Sequence, residues 1–193
     1  MVDNVGNRWA HDLGRDSPGR RPACSVRAVT AESAMSSLLG RVGGGLFQQA
    51  FVVDDFDGSQ RALREALGCS SFATLPPSDL EYDFRGGRTT CALEIGFARS
   101  GNVQIELIRP VRGTGLHSEF LAANGPGAHH LGFMVDDIDA EIREARALGF
   151  ENVQSATFGP LRFCYLDTFQ AFGLYVELVQ DPTGMMMSLM PWR

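Results

Sequence analysis

Four polar residues stand in strand-like segments that are otherwise apolar: Gln48, Glu106, His130 and Glu177. Because alternate side chains of a strand face the same side, we expect all four to project from an apolar inner surface. One imidazole, one amide and two carboxylates suit a divalent ion in octahedral geometry, such as Co, Mn, Ni, Zn or Fe. The set therefore predicts a site for one divalent metal ion, with two positions left for water or for a substrate.

An internal repeat relates these residues to one another. Residues 47–68 align with residues 129–150 at an offset of 82, which places Gln48 over His130. Each copy begins with a short alternating run that predicts a strand. An aspartate pair then predicts the start of a helix, and a glycine predicts its end.

The two copies also end alike. QIELIRP at 104–110 matches YVELVQDP at 175–182, which places Glu106 over Glu177. After each helix come three more strand-like runs, near 71–74, 89–97 and 103–109 in the first copy and near 152–157, 161–166 and 174–179 in the second. The predicted unit is βαβββ, present twice. A single unit would leave an open face and an exposed edge, so we predict an α+β fold in which two modules pair into a curved, partly open mixed sheet enclosing the metal-containing cavity.

The composition divides the chain into five predicted segments. They are a flexible N-terminal tail (1–45), a first module (46–111), a linker with a short helix (112–127), a second module (128–181) and an apolar C-terminal tail (182–193). The first segment is rich in Gly, Ser, Pro and Arg, which favours disorder, apart from a short helix expected near residues 31–39. The methionine at position 35 suggests that the first 34 residues are dispensable or that position 35 is the true start. The methionine-rich last segment is expected to cover the cavity mouth or a dimer surface.

Charge and composition exclude several functions. All 17 basic residues are arginine, so no lysine is present to form a Schiff base or to bind phosphate in a phosphate-binding loop. A net charge of -6 disfavours nucleic acid as a partner. The four cysteines are widely spaced, and no apolar run approaches the roughly 20 residues that a membrane-spanning helix needs. We therefore expect a cytoplasmic protein that acts on a small molecule.

The stretch from about 46 to 180 resembles the vicinal oxygen chelate superfamily, also called glyoxalase-like proteins, and within it the methylmalonyl-CoA epimerases. AHHLGFMVDDIDA at 128–140 is similar to the start of their second module. The resemblance implies that the second histidine of this motif, His130, is a metal ligand. VQIELIRP and LYVELVQDP resemble the two strands that carry ligands, which implies the same role for Glu106 and Glu177.

The resemblance also implies a catalytic base. ALEIGFA at 92–98 resembles the strand that carries this base in the epimerases, which indicates Glu94. The epimerase pattern, however, has histidine where this chain has Gln48 and glutamine where it has Glu106. The resulting ligand set is that of the glyoxalase I branch, in which Glu177 would leave the metal and act as the base. Both glutamates are therefore candidates.

These observations predict a divalent-metal-dependent isomerase or lyase that removes a proton alpha to a carbonyl or thioester through a metal-bound enolate. The substrate would carry a carbonyl or two vicinal oxygens, and the protein would be a homodimer. The alternatives are a metal-free binding protein of the bleomycin-resistance type and a lyase of the glyoxalase I type. A ring-cleaving dioxygenase is disfavoured because Gln48 replaces the second histidine that such an enzyme needs.

Overall fold

The computed structural model describes residues 30–188, and these residues form two βαβββ modules preceded by a helix. The elements in chain order are helix α1 (Ala31–Val42), then β1 (Leu46–Val52), α2 (Phe56–Leu67), β2 (Ala73–Phe84), β3 (Gly87–Ser100) and β4 (Val103–Arg112) of the first module. Helix α3 (Leu116–Asn124) connects to β5 (Gly127–Met134), α4 (Ile138–Ala147), β6 (Asn152–Phe158), β7 (Leu161–Leu166), α5 (Phe169–Phe172), β8 (Tyr175–Gln180) and α6 (Met185–Ser188).

The eight strands form one mixed sheet in the order β1-β4-β3-β2-β6-β7-β8-β5. Strand β1 pairs in parallel with β4, β5 pairs in parallel with β8, and β1 and β5 join the two modules as antiparallel neighbours. The predicted α+β fold of two modules in one curved sheet is confirmed. The sheet is more closed than predicted, since two residue pairs between β2 and β6, Asp83 with Ser155 and Phe84 with Gln154, complete a barrel.

The repeated aspartates begin the repeated helices, as predicted. The Asp55 carboxylate accepts a hydrogen bond of 2.9 Å from the backbone N–H of Gly58 at the start of α2. The Asp137 carboxylate accepts one of 3.0 Å from Ala140 at the start of α4. Gly68 ends α2 in the left-handed conformation, with φ of 61°, which glycine adopts without steric strain. Both helices pack on the outside of the sheet.

Helix α1 lies within the predicted N-terminal tail, where a short helix is expected near residues 31–39. Its residues Ala34, Met35, Leu38 and Val42 are buried in a core cluster with side chains of the second module, including Phe133. The helix is longer than expected and is packed on the fold, because its apolar face adds to the core. Residues 1–29 of the predicted tail lie outside the described residues.

The described part of the C-terminal segment returns to the barrel. Met186 is buried against Phe47, Phe97 and Val179, and its backbone N–H donates a 2.7 Å hydrogen bond to the Asp181 carboxylate. Residues 189–193 lie outside the described part of the chain. Across residues 30–188, no helix has both the length and the apolar character needed to cross a bilayer.

Candidate metal centre

The four predicted ligands lie on four neighbouring strands, in the order β4, β1, β5, β8. In the strand register, Ala50 on β1 stands between Glu106 and His130, and Gly132 on β5 stands between Gln48 and Glu177. Gln48 and His130 are fully buried, and the two glutamates are 6% and 5% exposed. The repeat thus brings residues that are far apart in the sequence to one end of the barrel interior.

Three side-chain oxygens converge on one nitrogen of His130. The Nε2 atom lies 3.3 Å from Glu106 Oε2, 3.2 Å from Glu177 Oε2 and 3.3 Å from Gln48 Oε1. An imidazole nitrogen carries at most one proton, so it can donate a hydrogen bond to only one of these acceptors at a time. Glu177 Oε2 is buried, and its 3.2 Å approach to Nε2 has to be shared with the other two acceptors. The site therefore has more acceptors than donors.

This donor set fits a divalent cation. Neighbouring ligands that each stand about 2.1 Å from an octahedral ion are roughly 3 Å apart, close to the separations around Nε2. Two carboxylates balance the charge of the ion, and the imidazole and the amide are neutral ligands. Gln48, Glu106, His130 and Glu177 are thus the residues that would hold the ion.

The amide of Gln48 is held by a second glutamine. Its Nε2 donates a 2.5 Å hydrogen bond to Oε1 of Gln104, which stands beside it on β4 and is also fully buried. This bond turns the amide oxygen of Gln48 toward His130. On the other side, a Cβ atom at Gly132 would lie 2.7 Å from that oxygen, so the strand needs a residue without a side chain here. The hydrogen bond to Gln104 and the space left by Gly132 together fix the position of the amide oxygen.

A second histidine holds the His130 ring. Nδ1 of His130 lies 2.9 Å from Nδ1 of His129, which is fully buried. Burial keeps the pKa of His129 well below its usual value, so its ring is neutral and can accept a hydrogen bond from His130. That hydrogen bond leaves Nε2 of His130 free to act as a ligand. Metal-bound histidines commonly have such a partner on their second ring nitrogen.

Burial and the two carboxylates act in opposite directions on His130. Burial disfavours the charged ring, but the adjacent Glu177 and Glu106 outweigh it and raise the pKa of His130 to about 9. Burial also raises the pKa of Glu106, an effect that contact with His130 partly offsets. Without a cation, the centre thus holds two carboxylates and a histidine that draws a proton to compensate for their charge.

A cavity of about 160 Å³ opens from this centre toward solvent. Glu106 and Glu177 line its floor, and the phenol rings of Tyr82 and Tyr165 stand in its wall. Burial, strengthened by the nearby Glu177, raises the pKa of Tyr165 well above its usual value, so its hydroxyl keeps its proton. The cavity therefore presents carboxylates and neutral hydroxyl groups to a ligand.

Glu94, one of the two predicted bases, lies outside this cavity. Leu93, Ile95 and Phe97 of β3 line the interior, so the alternation of the strand turns Glu94 to the opposite face. There its carboxylate pairs with Arg109, with Oε2 2.7 Å from Nε and 2.6 Å from the nearest terminal nitrogen. The structure thus brings four of the five predicted site residues together and separates Glu94 from them.

The sequence reasoning missed His117, Gln104 and the two tyrosines. His117 is 2% exposed, lines the cavity and stacks against His129 with ring centroids 4.8 Å apart. Burial lowers its pKa to about 3, so it is neutral. The pattern Leu116, His117 and Phe120 along α3 signals a buried helix face and could have identified it.

Comparisons with known proteins agree with this architecture. The sequence profile of the Glyoxalase/Bleomycin resistance protein/Dioxygenase superfamily matches residues 47–165. A methylmalonyl-CoA epimerase from Mycobacterium tuberculosis has a similar structure, with a TM-score of 0.53 and 22% identity over 74% of this chain and 91% of that one.

Two further solved structures share the fold. One is a hypothetical protein from Bacillus halodurans C-125, with a TM-score of 0.52, 20% identity, and coverage of 70% of this chain and 93% of that one. The other is a Streptomyces coelicolor methylmalonyl-CoA epimerase variant in complex with 2-nitronate-propionyl-CoA, with a TM-score of 0.51, 20% identity, and coverage of 72% and 97%. No curated protein sequence matches the chain.

Proposed function

Because the chain belongs to the Glyoxalase/Bleomycin resistance protein/Dioxygenase superfamily, we propose that it is a divalent-metal-dependent isomerase or lyase that moves a proton alpha to a carbonyl or thioester. The observation that carries this proposal is the crowding of three oxygens around His130 Nε2, at 3.2 to 3.3 Å. A divalent cation would satisfy all three oxygens at once, whereas a proton on Nε2 can bond to only one of them at a time. The epimerase neighbours perform chemistry on acyl thioesters and support the same class of reaction.

When bound, the ion would place positive charge beside the substrate oxygen on which negative charge develops. Gln48 and His130 are neutral ligands that hold the centre in place. Glu106 and Glu177 stand at the floor of the cavity, where they face the substrate. The apolar walls above them exclude water from the reacting atoms.

We propose Glu177 as the catalytic base. Its carboxylate lines the cavity, is buried and lies 3.2 Å from His130 Nε2, beside the proposed ion. It would accept the proton from the carbon next to the carbonyl and return it to the same or a neighbouring atom. Glu106 is its counterpart in the repeat and lies on the other side of His130, so it is the group suited to deliver a proton from the opposite direction.

Solvent deuterium exchange tests this proposal. The protein, freed of metal and then reloaded with Co²⁺, is incubated in D₂O with a panel of acyl thioesters and 2-oxo compounds. We expect exchange at the alpha carbon only after reloading, and a loss of at least about 100-fold in Glu177→Gln, the magnitude typical of removing a general base. Glu94→Gln is the matched control and should exchange at the normal rate.

Two results would contradict the proposal. One is exchange that proceeds equally well without metal, and the other is exchange that is lost in Glu94→Gln and kept in Glu177→Gln. The alternative function, a metal-free drug-binding protein, has less support because it gives no role to the two buried carboxylates beside His130 Nε2.

A further inference from the structure

The size of the cavity limits what can reach the proposed metal centre. Its volume of about 160 Å³ is close to that of an apolar cavity of about 150 Å³ that holds a benzene molecule. When the reacting end of a substrate is bound inside, the cavity can therefore hold an apolar group of about the size of one six-membered ring. Any larger part must remain outside the barrel.

The lining between the centre and the mouth is apolar. It is formed mainly by aliphatic and aromatic side chains of both modules, among them Ile95, Phe97, Ile108, Leu161, Phe163 and Val179. At the mouth, Leu75 and Phe158 are 40% and 55% exposed. Exposed apolar groups at a cavity entrance favour an apolar ligand.

No free cation lines the cavity within residues 30–188. Its charged lining residues are Asp79, Glu106 and Glu177; no arginine of that part of the chain lines it, and the whole chain lacks lysine. Asp79 is paired with Arg112 at 2.6 Å, so this guanidinium group is already occupied. Phosphate recognition needs arginine, lysine or free backbone N–H groups, so this entrance does not match a phosphate.

The larger groove beside the cavity is also lined by acidic side chains. It holds about 650 Å³ and shares Asp79, Leu80, Tyr82 and Phe163 with the cavity lining. Four carboxylates line it, from Asp79, Glu81, Asp83 and Asp139, against the two guanidinium groups of Arg88 and Arg162. Those two groups are paired, Arg88 with Glu81 and Asp83, and Arg162 with Asp139. Asp79 likewise holds Arg112, so none of these three guanidinium groups is free to bind a polyphosphate chain laid in the groove.

We propose that the substrate of this site is a small, phosphate-free compound with an apolar body and two neighbouring oxygens, and not a coenzyme A thioester. The inference rests on the proposed function, and it narrows the substrate class. The two oxygens would face the centre, and the apolar body would fill the space between Ile95 and Phe163. Within residues 30–188 the entrance offers no free cation to bind the phosphates of a coenzyme A carrier.

A matched pair of substrates tests this inference. The lactoyl thioesters of N-acetylcysteamine and of coenzyme A carry the same two oxygens and the same alpha proton, and differ in length and in phosphates. For the Co²⁺-loaded full chain in D₂O, we expect kcat/KM for alpha exchange to be at least 10-fold higher with the short ester. A preference for the coenzyme A ester of more than twofold would overturn the inference.

A charge variant at the mouth tests the reason for the preference. Phe158→Arg adds a cation beside the entrance, and we expect it to raise kcat/KM for the coenzyme A ester about fivefold while the value for the short ester stays within twofold. Phe172→Arg is the control, because Phe172 is also an exposed aromatic residue but does not line the cavity. An unchanged value for the coenzyme A ester in Phe158→Arg would contradict the proposed role of charge.

A binding measurement separates this inference from the proposed reaction. Benzohydroxamate and 4-phosphonobenzohydroxamate both present two neighbouring oxygens, and calorimetry gives their affinities for the Co²⁺-loaded protein. We expect the uncharged compound to bind at least 10-fold more tightly. If this holds while neither thioester exchanges, the substrate class stands and the proposed proton transfer is wrong. If neither compound binds, or if the phosphonate binds more tightly, the substrate class is wrong.

Discussion

At the scale of single residues, the centre is explained by contacts that the sequence shows only in part. Gln48, Glu106, His130 and Glu177 were predictable because the repeat places them in pairs and strand alternation gives them one face. Glu94 lies on the outer face of β3, which alternation alone could not show because both faces carry buried apolar residues such as Ala92 and Leu93. Gly96 on its outer face packs against Phe56 and Phe72, so alternation gives no sign of which face is the interior.

Gln104 provides the first test at this scale. Gln104→Leu removes the acceptor that holds the Gln48 amide, so we expect metal affinity to fall about 10–100-fold, the range for partners that orient a ligand. Gln154→Leu is the control, because Gln154 is equally buried but bonds to the backbone of Leu116. Titration of the metal-free proteins with Co²⁺ gives the affinities. Equal affinities in both variants would show that Gln104 does not position the ligand.

Gly132 provides the second test. Its substitution by alanine places a methyl group 2.7 Å from Gln48 Oε1 and 3.0 Å from Gln48 Cβ, which forces the ligand to move. We expect Gly132→Ala to weaken Co²⁺ binding at least 10-fold. Gly40→Ala is the control, because a Cβ at that helical position meets nothing within 4 Å. Unchanged binding in Gly132→Ala would mean that Gln48 is not a ligand.

At the scale of elements, local residue preferences and the internal repeat predicted the two modules but not the full length of strand β2. The strand was predicted only near residues 71–74, but it continues past Pro76, where the register shifts, to Phe84. Pairing with β3 carries it past this proline, because proline removes only its own donor from the ladder. The predicted segment boundaries, including the linker at 112–127, stay predictions.

Helix α1 provides the test at this scale. Leu38 is fully buried in the core cluster with Phe133 and Leu178, so Leu38→Ala should lower the free energy of unfolding by about 2–5 kcal/mol. Leu39→Ala removes a half-buried side chain of the same helix and should cost less. Urea denaturation of both variants measures the difference. Equal and negligible losses would mean that α1 does not belong to the fold.

At the scale of the whole molecule, duplication explains why the four proposed ligands meet at one point of the barrel. The two modules join through β1 and β5 beside these residues, while the opposite junction between β2 and β6 has two residue pairs. That short junction lies next to the groove and the cavity mouth. No feature of the sequence indicated it, because it depends on how far two distant strands approach each other. The predicted homodimer remains a prediction.

Metal binding should stabilise the entire fold. A ligand bound only by the folded state adds about 2.7 kcal/mol at a concentration 100 times its Kd. We therefore expect the midpoint of urea denaturation to rise when Co²⁺ is added to the metal-free protein. The double variant Glu106→Ala, Glu177→Ala should show no such rise. A rise of the same size in that variant would indicate binding elsewhere.

The most direct test of the central claim is the divalent metal content of the purified chain, measured by elemental analysis after reloading and removal of excess ion. The arrangement of Gln48, Glu106, His130 and Glu177 around one point predicts one ion per chain. It also predicts loss of that ion in Glu106→Ala and in Glu177→Ala, but not in Glu94→Ala. A chain that keeps no ion, or that keeps it equally well in all three variants, would contradict the account.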